Sequence, residues 1–345
     1  MSTAAPTAKR RTRDTWTSQT GFLLAAIGSA IGLGNIWRFP GVAYTNGGGA
    51  FLVPYLVALL FAGIPILWLE YAVGHKFRGT PPWAFRRMSA KGEFLGWFCV
   101  FICFVIITYY AAVVAWSSSY VVYSINEAWG NDSKTFFLSS FLGTVGSDEF
   151  SWTPVLAVSV PLLLVWVCIL LIVSFGVSKG VEKANKVFLP LLVVLFLALV
   201  VRALFLPGAL EGLNAFFTPN WSALTDSKVW IEAFAQIFFS LSVGFGIMLT
   251  YASYLKPKSN LTGTALVAGF ANSSFEILAG IGVFSAVGFM AHQGGVSVSE
   301  VKGLSGPILS FVTFPKIISM MPGGPIFGVL FFSSLVLAGV TSLLS

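Results

Sequence analysis

Eight long apolar runs dominate the chain and leave few folds open to it. They lie at 19–42, 49–75, 94–125, 153–174, 184–206, 229–254, 263–290 and 325–345, and a helix needs about 20 apolar residues to cross a bilayer. Lipid offers the backbone no hydrogen-bond partner, so such segments must satisfy their own amides and carbonyls as helices. Composition agrees: 56% of the 345 residues are hydrophobic and 10% charged, where a soluble domain has about a quarter charged. That balance excludes a soluble enzyme, a disordered chain and a nucleic-acid binder. The net charge of +7 does not alter this, because the bases sit in short segments between the runs. The fold class is all-α, a polytopic membrane protein whose first partner is the lipid bilayer.

Those bases orient the chain. Lys9, Arg10, Arg11 and Arg13 precede the first run, and Lys76, Arg78, Arg86, Arg87 and Lys91 separate the second from the third. Lys179, Lys183 and Lys186 lie between the fourth and fifth, and Lys256 and Lys258 between the sixth and seventh. The loop at 126–152 instead holds Lys134 against Glu127, Asp132, Asp148 and Glu149. Basic loops stay inside, so the N-terminus, residues 1–18, is expected in the cytoplasm. Polar and basic as it is, it does not read as a signal peptide. Cys99, Cys103 and Cys168 all fall inside apolar runs without ligand spacing and read as small core hydrophobes. The chain ends at Ser345 within an apolar run, which suggests a piece of a longer protein.

Two runs are interrupted alike. The first reads Gly28-Ser29-Ala30-Ile31-Gly32-Leu33-Gly34-Asn35, the sixth Ser240-Leu241-Ser242-Val243-Gly244-Phe245-Gly246. Each glycine weakens a helix by about 1 kcal/mol relative to alanine, so both stretches favour unwinding. Close helix packing is the competing explanation, since small residues also let helices approach. It explains less well why two runs five apart share the pattern. An odd spacing is what an inverted repeat of five spans produces, and matched broken helices point to the midplane site of a secondary transporter; a channel is the alternative. The repeats would cover 19–206 and, incompletely, 229–345.

A broken helix frees carbonyls, which suit a hard cation, and amides, which suit a carboxylate. Asn35, Ser240 and Ser242 add side-chain oxygens at the breaks. Span seven holds Asn272, Ser273, Ser274 and Glu276, and span eight Thr341-Ser342 after Ala338-Gly339. Ser and Thr in a helix commonly bond their own backbone four residues back, so the hydroxyls alone decide nothing. Glu70 and Arg38, charges within spans, are functional candidates by cost alone. His75 and His292 have no partner motif, and no phosphate-binding loop is present; an enzyme is not expected, and energy would come from an ion gradient.

The stretch GSAIGLGNIWRFP (28–40), followed by NGGGAF (46–51), closely resembles the first-span signature of the neurotransmitter:sodium symporter family. QIFFSLSVGFG (236–246), TYASY (250–254) and AGVTS (338–342) resemble its sixth and eighth spans. The likeness runs along the whole chain and is strongest to the bacterial amino-acid members, whose leucine-transporter fold has broken first and sixth helices in an inverted repeat. Members have eleven or twelve spans, so the resemblance too implies that this chain stops early.

The resemblance implies two sodium sites. One would use the Ala30 carbonyl, Asn35, Ser240 (threonine in the bacterial leucine transporter), Asn272 and the substrate carboxylate. The other would use carbonyls of Gly28, Ile31 and Ala338 with the hydroxyls of Thr341 and Ser342. A substrate pocket would be lined by Ala30, Gly34, Ile106, Tyr110, Phe239, Ser240, Ser242, Phe245 and Ser342, with Tyr110 on the carboxylate and Phe239 as a lid. Arg38 would belong to an outer gate and Arg13 and Trp16 to an inner one, their acidic partners expected beyond Ser345. Gly32 stands where monoamine carriers have an aspartate, which implies an amino-acid substrate. Glu276 resembles the glutamate of chloride-independent members and would act as a chloride substitute. Gly180 and Pro190 resemble a motif at which span five can unwind at its cytoplasmic end, which would let water reach the second sodium site from inside. The implied function is sodium-coupled, chloride-independent amino-acid import across the cell membrane by alternating access; a non-transporting amino-acid sensor on the same fold is the alternative. A homodimer is left open.

Overall fold

The computed structural model describes residues 14–144 and 153–345. Every apolar run forms a helix. Six are continuous: Gly49–Phe77, Ala90–Tyr123, Leu156–Ser174, Val177–Leu204, Leu261–Gly294 and Gly324–Leu343. The first span is bent by 49° between Gln19–Ala30 and Leu33–Thr45. The sixth is split into Ser227–Ser240 and Ile247–Ala252, with 241–246 non-helical between them. Both breaks thus fall on the glycine-rich stretches.

Local chemistry fixes the ends. Ser18 accepts the Gly21 amide at 2.9 Å and caps the first span. Asn260 does the same for Gly263 at 2.9 Å at the start of the seventh, which ends on left-handed Gly295. Side-chain oxygens at these positions satisfy amides that a helix start leaves free. Proline removes a helical amide, and π-helical turns absorb that loss twice: Leu59–Gly63 precedes Pro65, and Leu309–Thr313 precedes Pro315.

The fifth span begins at Val177, not at 184 as apolarity suggests. A π-helical turn, Val177–Val181, carries it back towards the fourth span through polar residues that the hydropathy pattern excludes. Gly180 lies in that turn, and in this conformation the span is helical through both Gly180 and Pro190. Three connecting helices, Pro81–Met88, Ala209–Phe217 and the apolar but short Gly306–Met320, were not expected as separate elements.

The first span sits at the centre, packed on the fifth, seventh and eighth, while both halves of the sixth lean on the second. Most of the seventh span is buried among the other helices, whereas the fourth packs on the third and is largely exposed within this chain. Phe94, Phe101, Leu163 and Leu170 are exposed on this outer side.

Candidate functional site

The site begins with two amides that leave the first helix. The Gly32 N–H donates to Asn35 Oδ1 at 2.9 Å, and the Leu33 N–H donates to the Tyr110 hydroxyl at 3.1 Å. A continuous helix would use these amides on the carbonyls of Gly28 and Ser29. The Ser29 carbonyl instead accepts from Ser342 Oγ at 3.3 Å. Gly32 is needed for space, since a Cβ there would lie 2.8 Å from both Ser342 Oγ and Tyr110 Oη. An acidic side chain at Gly32 would therefore push between the two hydroxyls.

In the sixth span the break is held open by left-handed backbone at Ser242 (φ 53°), Gly244 (φ 84°) and Gly246 (φ 77°). Glycine adopts this region freely, whereas Ser242 is strained there. The second and third spans secure the loop. The Gly244 N–H donates to Glu70 Oε1 at 2.6 Å. Cys99 Sγ and Cys103 Sγ donate to the carbonyls of Gly244 and Phe245 at 3.3 and 3.4 Å. Two of the three cysteines thus tie down the break rather than merely filling the core; Cys168 is exposed on the fourth span.

Between the breaks, Asn35, Ser240 and Asn272 form a buried triangle. Asn35 Nδ2 donates to Asn272 Oδ1 at 2.8 Å and to Ser240 Oγ at 3.4 Å, and Asn272 Nδ2 donates to Ser240 Oγ at 2.5 Å. One helical turn from Asn272 lies Glu276, which is wholly buried. Gln236 Nε2 donates to its Oε1 at 2.6 Å, and the Tyr55 hydroxyl donates to its Oε2. Arg38 in turn donates to Gln236 Oε1 and makes an ion pair with Glu232 at 3.1 Å. Glu232, two turns before Ser240, thus meets Arg38 within this chain. Sequence alone gave Glu232 no distinction, because it looks like any acid near a span end.

A cavity of about 390 Å³ lies beside the triangle. Ala30, Gly34, Ile106, Tyr110, Phe239, Ser240, Ser242, Phe245 and Ser342 all line it, together with Cys103, Phe104 and Ile107, which were not expected. The Phe239 ring lies so close to Gly34 that a Cβ there would approach it to 2.6 Å. Of the second group of oxygens, Ala338 and Thr341 are wholly buried and Ile31 nearly so. Thr341 Oγ1 donates to the carbonyls of Leu337 and Ala338 at 3.0 Å each, which leaves its lone pairs free. Gly28 faces Thr341 across the packed first and eighth spans, an added Cβ standing 3.4 Å from Thr341 Cβ.

Below the cavity Trp16 is buried, donating from Nε1 to the Tyr251 carbonyl at 2.8 Å and from its backbone amide to the Tyr254 carbonyl at 3.2 Å. Arg13 lies outside the described residues. Asp14 accepts from the amides of Val177 and Ser178 at 2.7 and 3.2 Å. Slight burial works against its charged form, but the Ser178, Val177 and Thr15 hydrogen bonds outweigh that and hold the carboxyl below its usual range.

The chain is 44% identical to an uncharacterized sodium-dependent transporter of Methanocaldococcus jannaschii over 96% of its own length and 68% of the relative's. It is 35% identical to the sodium-dependent serotonin transporter of Drosophila melanogaster and 36% to the human sodium- and chloride-dependent creatine transporter 1, over 96% of its length in each case and 58% of theirs. It thus spans about 58–68% of the length of these relatives. Among solved structures it matches MhsT in complex with L-phenylalanine at a TM-score of 0.81 and 36% identity, covering 96% of this chain and 72% of that one. These relatives are transporters, not enzymes. The model of the sodium:neurotransmitter symporter family matches residues 13–154 and 133–345. With both broken helices in the expected spans and nearly every residue matched, the chain belongs to the sodium:neurotransmitter symporter family.

Proposed function

We propose that this chain forms the binding core of a sodium-coupled amino-acid symporter that works by alternating access and needs no chloride. The observation that carries the proposal is the buried Asn35–Ser240–Asn272 triangle at the edge of the cavity. Three neutral oxygen-bearing side chains there suit a hard monovalent cation, which enters as cargo. Tyr110 accepts from Leu33, and its hydroxyl proton can turn to a carboxylate in the cavity. An ion and a carboxylate sharing that space raise each other's affinity, which is reciprocal coupling. A second ion would be held by the carbonyls of Gly28, Ile31 and Ala338 with Thr341 and Ser342.

Glu276 supports chloride independence. Its carboxylate already occupies the donors of Tyr55 and Gln236, groups that would otherwise receive an anion. Gly32 leaves no acid to balance an amine, so the substrate must bring its own carboxylate. Phe239 would lid the cavity; Arg38 with Glu232 would close the outside and Trp16, with Arg13, the inside. The two repeats, 19–206 and 229–345, would supply one broken helix each to the site, with the N-terminus in the cytoplasm.

The test is uptake by the full-length protein in proteoliposomes, with each of the twenty amino acids. Saturable accumulation of a few of them under an inward sodium gradient, absent in potassium and unchanged in gluconate, is expected. Sodium-dependent binding without accumulation would favour the sensor reading. A several-fold loss in gluconate would remove the role given to Glu276.

A further inference from the structure

The fifth span carries a buried oxygen with nothing to accept. Asn185 is wholly buried, and its Nδ2 donates to the Val181 carbonyl one turn back at 3.0 Å. That bond fixes which end of the amide faces inward, because a flip would set two oxygens against each other. Oδ1 therefore points at the first span, and it has no hydrogen-bond partner. Its neighbour there is Gly28: a Cβ added to Gly28 would lie 2.3 Å from Asn185 Oδ1 and 3.4 Å from Thr341 Cβ. Gly28 is also the residue whose carbonyl loses its helical donor when the Gly32 amide turns to Asn35.

We infer that Asn185 Oδ1 is a further ligand of the second cation, supplied by the fifth span. The inference rests on the second sodium site proposed above. Three spans converge on one small volume: the first with the released Gly28 carbonyl, the eighth with Thr341, and the fifth with Asn185. All three contribute neutral oxygen, the donor a hard monovalent cation prefers. A buried oxygen without a partner is unfavourable, and a cation between Asn185 and Gly28 relieves it. The cation then ties the fifth span directly to the first, so that its loss frees the fifth span to move.

The test is the sodium-dependent melting temperature of the full-length protein in detergent without substrate. Sodium chloride is titrated against choline chloride at constant ionic strength. A ligand of the folded state raises stability by RT ln(1 + [L]/Kd), so Asn185→Ala should move the half-maximal sodium concentration up about tenfold. Asn185→Asp keeps the shape and gives up the Nδ2 bond to the Val181 carbonyl, but adds charge to the oxygen facing the first span, and should move it down. Thr341→Ala is the reference for the site itself. If Thr341→Ala raises the midpoint while Asn185→Ala leaves it unchanged, Asn185 is a packing residue and the inference is overturned, with the second site intact. If Thr341→Ala and Asn185→Ala both leave it unchanged, the reading of the second site fails and the inference falls with it. Should Asn185→Ala not fold, Asn185→Asp decides alone, and an unchanged midpoint overturns the assignment.

Discussion

Single residues set the cavity by what they lack. Gly34 has no side chain because the Phe239 ring occupies that space at 2.6 Å from where a Cβ would stand. Gly34→Ala should push the ring into the cavity and weaken substrate binding about tenfold, since an extra methyl in a packed site costs about 1–3 kcal/mol; substrate-dependent melting shifts measure it. Glu276 acts through what it adds. Glu276→Ser leaves the donors of Tyr55 and Gln236 without their carboxylate, at a cost of about 1.5–3 kcal/mol for a lost charged hydrogen bond. Added chloride should then restore much of the lost uptake, whereas the parent protein should not respond to it. An equal response in both proteins would refute the substitution. Every residue expected to line the cavity does so: those at the breaks follow from the local glycine signature, whereas Ile106, Tyr110 and Ser342 came only through the family resemblance. Cys103 and Phe104 were missed because the third span is apolar all round, and no periodicity marks its inward face.

Elements owe their positions to contacts between spans. Glu70, recognised in the sequence only as a costly charge, holds the Gly244 amide of the sixth-span break. Glu70→Ala should lower the melting temperature and abolish substrate stabilisation, with about 1.5–3 kcal/mol lost from one charge-assisted bond; Glu70→Gln, which keeps an acceptor, should lose less. At the cytoplasmic end expected from the basic loops, Asp14 ties the entry of the first span to the start of the fifth. Its carboxyl is held below the ordinary range, so the tie contributes fully above the unfolded value of about 3.9 and is lost as pH falls through the lower folded value. Trp16 fluorescence should therefore report loosening only in acid, and Asp14→Asn should remove that pH dependence. Glycine at 180 also permits a close approach, since a Cβ would meet the Ile172 carbonyl at 2.0 Å. That contact between consecutive spans is invisible in a local motif.

The whole molecule is organised by the bilayer. An almost wholly apolar fourth span, Leu156–Ser174, has no stable place in water, and the largely buried seventh carries Asn272 and Glu276 away from its surface. The basic segments lie on one side of this arrangement by the count of crossings. A protease-cleavable tag before the first span should be protected in intact cells, and a site in the acidic segment between the third and fourth spans should be cut. The reverse pattern would invert the proposed direction of transport and exchange the roles given to Trp16 and Arg38.

By itself the sequence determined the class, the places of the apolar helices and the two stretches where helices break. Each follows from short-range physics: apolar length against bilayer thickness, backbone groups that lipid cannot satisfy, and paired glycines that cannot hold a helix there. Only the tertiary structure decided what the broken ends meet. Tyr110 on Leu33, Asn272 on Asn35, Glu70 on Gly244, Glu232 on Arg38 and Asn185 against Gly28 join residues far apart in the chain. Such pairings depend on how each helix is rotated about its axis, and uniformly apolar helices carry no sequence record of that rotation. Packing alone fixes it.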